Sequence, residues 1–234
     1  MGSTFSRPLG FYYGQGRLEA LRLYRRVVLQ PWAYTPEELA RLAPTEALAY
    51  LSLGEDPGPP APWQLPRENP RWGTRLVDPG HPAWVARVVE EALRLLAQGF
   101  RGLFLDNLDQ AASVSREATL ALLLTLRRAV GPAYLLANRG FALLPQMADA
   151  VDGVVFEAFS TTWEGGPRPL PRPLLRANAQ TALTLAGLSL ERFSLDYADR
   201  PNLARFARKR ALAHGLFPLV AKERHLLLPT DTEG

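Results

Sequence analysis

The chain has 234 residues, 47% of them hydrophobic and 21% charged. That balance excludes an intrinsically disordered chain, and the length suits one large α/β barrel, which typically runs to about 250 residues. Cysteine is absent, so disulfides, thiolate metal sites and a cysteine nucleophile are excluded. The formal charge is +4, and every basic residue except Lys209 and Lys222 is an arginine. Arg22–Arg26, Arg127–Arg128 and Arg205–Arg210 fall on helix-like stretches and read as solvated outer faces. A nucleic-acid surface would want a basic stripe interleaved with exposed aromatics, so no nucleic-acid partner is expected. No run approaches the ~20 apolar residues of a membrane span. Met1-Gly2-Ser3-Thr4 lacks the basic and apolar segments of an export signal. The compartment is left open, and a monomer is expected.

In chain order the pattern alternates between short apolar runs and helical stretches. Phe11-Tyr12-Tyr13 is the first strand, and Leu18 to Tyr24 reads as a short helix. Val27-Val28-Leu29 is the second strand, ending at Gln30-Pro31. Thr35, Pro36 and Glu38 then form a helix start with a capping box. Leu48 to Leu53 is the third strand, followed by Gly54-Glu55-Asp56 and a long proline-rich loop from Pro57 to about Pro82. Trp84 to Gln98 is an apolar-periodic helix stopped by Gly99.

Gly102 to Asp106 is the fourth strand, Ala133 to Ala137 the fifth and Gly153 to Glu157 the sixth. Ser115 to Ala129 is helical, and Pro145 to Ala150 is a helical turn. A loop runs from Ser160 to about Pro173, and a helix follows it to near Leu185. Arg192 to Leu195 is the seventh strand, Asn202 to His214 a helix, and Leu216 to Val220 the eighth strand. Continuous apolar runs such as Leu103-Phe104-Leu105 and Val154-Val155-Phe156 mark strands buried on both faces of a parallel sheet. Eight such units predict a single (β/α)₈ barrel spanning residues 1–234, with loose ends over 1–9 and 226–234. Gly14-Gln15-Gly16 is not followed by a third glycine, so no dinucleotide fingerprint is read there.

What ends each strand carries the functional reading. Tyr13 closes the first strand, Glu55 and Asp56 follow the third, and Asp106 ends the fourth. Asn138 ends the fifth, Glu157 the sixth, and Asp196 and Tyr197 the seventh. Active sites of (β/α)₈ barrels sit at this C-terminal rim. A carboxylate directly after a buried apolar run is costly to desolvate without partners or chemistry. Asp56, before Pro57-Gly58, fits a turn residue better, and Asp109 and Asp199 are equally well placed to cap the helices that follow them. Asp106 and Glu157 lie two strands apart and are expected to flank one bond. Two opposed carboxyl groups are what glycoside hydrolysis needs, one to protonate the leaving oxygen and one to attack or to activate water. Trp63, Trp72 and Trp163 lie in the loops above, and at least one is expected to line a sugar-binding cleft.

The segment Gly99-Phe100-Arg101-Gly102-Leu103-Phe104-Leu105-Asp106-Asn107-Leu108-Asp109 resembles the "G-F-D-G-hydrophobic-hydrophobic-L-D-x-x-D" motif of glycoside hydrolase family 114. The founding activity of that family is endo-α-1,4-polygalactosaminidase. Ala49 to Glu55 resembles its "A-Y-L-S-x-G-E" strand, Asp152 to Glu157 its "D-G-V-x-x-E" strand, and Leu195 to Ala198 its "L-D-Y-A" strand. The resemblance implies a (β/α)₈ barrel and a hydrolase of an α-linked amino-sugar polysaccharide that needs no metal and no cofactor. It implies catalytic carboxylates at Asp106 and Glu157. Analogy with α-retaining barrels makes Asp106 the nucleophile and Glu157 the acid/base, the assignment of roles staying open. Tyr13, Glu55, Asp109, Asn138, Trp163, Asp196 and Tyr197 are the expected substrate-binding residues.

The sequence departs from the family pattern at Arg101, at Gln30-Pro31 and at Asn138-Arg139. An acidic rim would attract a deacetylated, cationic sugar despite the overall charge, whereas an inward Arg139 would repel it. Two rival readings stand beside this one: a non-catalytic carbohydrate-binding barrel, and a hydrolase of another polysaccharide on the same scaffold. His81, His214 and His225 are at no predicted strand end, which argues against a zinc hydrolase. No nucleophile elbow supports a serine hydrolase.

Overall fold

The structure is a computed structural model that describes residues 7–230. Eight parallel strands form one sheet, and they follow one another in chain order around it. They are β1 (Arg7–Tyr12), β2 (Tyr24–Leu29), β3 (Glu46–Ser52), β4 (Gly102–Asp106), β5 (Tyr134–Asn138), β6 (Gly153–Glu157), β7 (Glu191–Tyr197) and β8 (Phe217–Ala221). The connecting helices are α1 (Leu18–Leu21), α2 (Pro36–Arg41), α3 (Pro82–Gln98), α4 (Leu108–Val114), α5 (Arg116–Val130), α6 (Arg172–Ala186) and α7 (Pro201–Ala213). This is the expected (β/α)₈ barrel.

Side chains alternate across each strand, and the alternation sorts two cores. Phe11, Val28, Leu48, Phe104, Leu136, Val155, Leu195 and Leu219 face inward and fill the barrel. Their neighbours Tyr12, Val27, Ala49, Leu105, Ala137, Val154 and Phe156 face outward, against the helices. One two-residue step beyond the inner layer, towards the C-terminal rim, come Tyr13, Gln30, Tyr50, Asp106, Asn138, Glu157 and Tyr197. All seven line the cleft in the barrel mouth. The strand period therefore decides which polar side chains enter the site.

The barrel does not close by a ladder between β8 and β1, which stand at the two ends of the sheet order. The seam is filled by residues 226–230. Tyr13 N donates to Leu226 O at 2.7 Å, Thr230 N to Phe11 O at 3.2 Å, and Tyr24 Oη to Thr230 O at 2.5 Å. Phe11 N donates to Thr230 Oγ1 at 3.1 Å. Leu226 is buried in the inner core. The expectation of loose ends is thus corrected for residues 226–230, and at the other end Leu9 is fully buried in β1. Residues 1–6 and 231–234 lie outside the described part.

Other boundaries move as well. The expected helix over Leu18 to Tyr24 stops at Leu21, and Tyr24 opens β2. The helix over Ser115 to Ala129 begins one residue later, because Ser115 is its cap: the Ser115 hydroxyl accepts from Ala118 N. The capping box at Thr35 and Glu38 forms as read. The proline-rich segment after β3 is an antiparallel three-stranded sheet, with Thr74–Val77 between Glu55–Asp56 and Gln64–Asn69. Pro66 is tolerated there because it lies on an outer strand, between Gln64 and Glu68, where the register slips. The segment after β6 likewise holds a short ladder, Thr161–Thr162 against Arg168–Pro169.

Candidate active site

Asp106, Asn138 and Glu157 are the last residues of three consecutive strands, β4, β5 and β6. All three side chains enter the cleft, although Asn138 pairs in register with Val155, two residues before Glu157. The Asn138 amide nitrogen donates to Asp106 Oδ1 at 2.9 Å and to Glu157 Oε2 at 2.8 Å. One nitrogen bonded to both oxygens keeps those oxygens under about 6 Å apart. Two tyrosines hold the outer oxygens: Tyr50 Oη donates to Asp106 Oδ2 at 2.7 Å, and Tyr197 Oη to Glu157 Oε1 at 2.6 Å.

Burial raises the Glu157 carboxyl above its ordinary range, and the neighbouring Asp106 charge raises it further. The hydrogen bonds from Tyr197 and Asn138 and the charge of Arg139 oppose that rise without cancelling it. Burial also raises the Tyr13, Tyr50 and Tyr197 hydroxyls well above the usual phenol range. These phenols therefore stay neutral, Tyr50 and Tyr197 as donors to the carboxyl pair.

The cleft above the pair has a volume of about 730 Å³, within the range of ligand-sized sites. Glu55 is buried in it, accepting from Asn69 Nδ2 at 3.0 Å and from Thr74 Oγ1 at 2.5 Å. No cationic partner of Glu55 is found among the described residues. A Cβ at Gly54 would lie 2.1 Å from Asn107 O, so only glycine lets the chain turn there and deliver Glu55. Asp109 lines the cleft too but does not cap α4. It accepts Arg139 Nε at 2.7 Å and Gly140 N at 3.1 Å. Arg139 also donates to the Glu157 carbonyl at 3.0 Å. Its charge is thus balanced at the rim by Asp109 and is not left facing the cleft alone.

Asp196 departs from expectation. It is one residue out of step with the inward-facing Leu195 and Tyr197, so its carboxylate points away from the mouth. It accepts Ser160 N at 2.7 Å and Thr161 N at 2.8 Å, and it does not line the cleft. Among the tryptophans, Trp63 packs on Trp84 and donates to Asp56, which gives Asp56 the structural role expected of it. Trp72 and Trp163 line the cleft. Asp199 does not cap the last helix: the cap of α7 is Arg200.

Among the lining residues that sequence reasoning missed are Gln30, Tyr50, Arg224 and His225. Gln30 and Tyr50 carry a signal, since each stands two positions after an inward residue, Val28 and Leu48. Arg224 and His225 carry none, because a tail that fills a seam has no periodicity. Among the described residues no group of three or more His, Asp or Glu side chains is placed to hold a metal ion. No described helix is long and apolar enough to cross a membrane.

Comparison with known proteins agrees with this geometry. The model of glycoside hydrolase family GH114 matches residues 35–206. The glycoside hydrolase domain of PelA from Pseudomonas aeruginosa superposes with a TM-score of 0.83 at 25% identity, over 95% of this chain and 97% of that one. Aspergillus fumigatus Ega3, solved with galactosamine, superposes with a TM-score of 0.73 at 11% identity, over 95% and 92% of the two chains. A Deinococcus radiodurans protein is 28% identical over 240 residues, 90% of this chain and 77% of that one. The barrel and its rim belong to the carbohydrate-cleaving class of (β/α)₈ enzymes: the protein is a glycoside hydrolase. More narrowly, the chain belongs to glycoside hydrolase family GH114.

Proposed function

We propose that the protein cleaves an α-linked, galactosamine-containing polysaccharide at internal bonds by a retaining double displacement. Glu157 is the acid/base and Asp106 the nucleophile. The observation that carries this reading is the Asn138 amide shared by the two carboxyl groups. It keeps the two facing oxygens within about 6 Å, which favours the roughly 5–5.5 Å carboxyl separation of retaining enzymes over the roughly 6.5–9.5 Å that leaves room for water in inverting ones. The founding activity of the family and the galactosamine bound to Ega3 favour the substrate class.

In the first step protonated Glu157 gives its proton to the glycosidic oxygen while an Asp106 oxygen bonds to the anomeric carbon. The bond from that carbon to the leaving oxygen breaks. In the second step Glu157 takes a proton from water, the water oxygen bonds to the anomeric carbon, and Asp106 leaves. The raised Glu157 carboxyl suits this role, since it keeps a proton to higher pH than an ordinary glutamic acid. Tyr50 and Asn138 orient the Asp106 oxygens for attack. Glu55, buried with only neutral partners, is the group that an ammonium substituent of the sugar would satisfy.

The test is release of new reducing ends from partially deacetylated α-1,4-linked galactosamine polymer, beside Asp106→Asn and Glu157→Gln. The expected result is cleavage by the wild type and loss of at least 1,000-fold in both variants with the fold retained, on the order of losing a nucleophile or acid. Undiminished cleavage by either variant would remove that residue from the mechanism.

A further inference from the structure

Arg224 lies outside the stretch that matches the family, on the tail that fills the seam. It is exposed and lines the cleft. Its guanidinium stands 5.4 Å from the Trp72 ring and 4.8 Å from the Trp163 ring. Trp72 comes from the sheet after β3, Trp163 from the loop after β6, and Arg224 from beyond β8. Three separate excursions thus meet at one edge of the mouth. The other cation at this junction, Arg71, stands 4.5 Å over the Trp163 ring and is ion-paired with Glu164 at 3.1 Å. Arg139, on another wall, is ion-paired with Asp109. Arg224 has no carboxylate partner among the described residues; its Nε donates to the His225 ring. It is therefore a fixed positive charge on the cleft wall, held by aromatic faces and left with guanidinium donors to spare.

Together with Glu55, this makes the cleft bipolar: an unneutralised carboxylate buried in it and an unneutralised guanidinium exposed at its mouth. A sugar residue with a free ammonium at the mouth meets like charge. A sugar residue with an N-acetyl group brings no charge, offers a carbonyl oxygen to the guanidinium, and has a methyl group to lay on the half-exposed Trp72 ring (52% exposed). We propose that the Trp72–Trp163–Arg224 wall is a subsite for an N-acetylated, uncharged amino-sugar residue. The preferred substrate is then a partially acetylated chain, with an ammonium-bearing residue elsewhere in the cleft. This inference deepens the galactosamine reading given above and rests on it.

The experiment compares matched α-1,4-linked galactosamine oligomers that are fully deacetylated, about half acetylated and fully acetylated. Values of kcat/KM are measured for the wild type, Arg224→Lys, Arg224→Gln and Arg224→Glu. The wild type is expected to favour the half-acetylated over the fully deacetylated oligomer by about fivefold or more, the scale of one screened like-charge contact. Arg224→Lys keeps the sign of that preference, Arg224→Gln flattens it, and Arg224→Glu reverses it by improving the deacetylated oligomer. A merely structural role for Arg224 would lower all substrates together. A wild-type preference for the fully deacetylated oligomer, or a ratio unmoved by Arg224→Glu, would overturn the proposal.

Calorimetric binding of the same oligomers to Glu157→Gln, with and without Arg224→Glu, separates this inference from the reading beneath it. Preferential binding of acetylated oligomers that Arg224→Glu abolishes sustains the subsite even if the wild type cleaves none of them. In that case it is the assigned hydrolysis of this polymer that fails. Binding of none of the oligomers would overturn both.

Discussion

At the scale of single residues, the Asn138 amide nitrogen serves two carboxyl groups at 2.9 and 2.8 Å, so its loss affects both at once. Asn138→Ala leaves Asp106 and Glu157 facing one another without their common donor. The expected outcome is a fall in kcat of about 100-fold or more, the scale of losing one preorganised donor in an enclosed site, with an unchanged circular dichroism spectrum. A change under fivefold would mean that Tyr50 and Tyr197 position the pair without it. Tyr197→Phe tests the acid. The hydroxyl favours ionised Glu157 through a 2.6 Å hydrogen bond, so removing it raises the already raised carboxyl further. The basic limb of the kcat/KM profile should then move to higher pH. A limb that stays in place, or moves to lower pH, would take Glu157 out of the acid role.

At the scale of elements, Asp196 ties the loop after β6 to β7. Its carboxylate holds the Ser160 and Thr161 amides, and the Thr161 hydroxyl in turn accepts Tyr197 N at 2.8 Å. Burial raises the Asp196 carboxyl from its ordinary 3.8 to about 6. The folded protein therefore binds that proton more tightly than the unfolded chain. This contribution to stability is complete below about pH 4 and is lost as the pH climbs through 6. Asp196→Asn keeps an acceptor oxygen but no titration. The Tm of the wild type should accordingly fall relative to that of Asp196→Asn between pH 4 and 7; a constant difference would contradict the assignment.

The same strand shows how much of the site was legible in the sequence. The apolar runs before Asp106 and Glu157 are plain to read, and period-two counting from Phe104, Leu136, Val155 and Leu195 selects Asp106, Asn138, Glu157 and Tyr197 while rejecting Asp196. Tyr50 is reached by the same count from Leu48. The sheet after β3 is not legible, because two of its strands are short and the third carries Pro66, so neither run shows clean alternation.

At the scale of the whole molecule, the eight-fold alternation of strand and helix is enough to predict a closed parallel barrel, because strands buried on both faces must be covered all round. It does not tell how the barrel closes. The segment Glu223 to Thr230 looks like an end, yet Leu226 and Thr230 stand where a ladder between β8 and β1 would otherwise run, and they bring Arg224 and His225 to the mouth. Truncation after Lys222 should therefore lower the Tm by about 10 °C, the scale of losing one buried leucine and a few buried hydrogen bonds in a chain of this size. It should impair cleavage at temperatures where the truncated barrel is still folded. An unchanged Tm would mean that the seam holds without the tail.

The most direct test of the central claim, a double displacement by Asp106 and Glu157, is the anomeric configuration of the first-formed product, followed by proton NMR during cleavage of the α-linked galactosamine polymer. The α reducing end should appear first and then equilibrate with the β form; a β reducing end appearing first would contradict the nucleophilic role of Asp106.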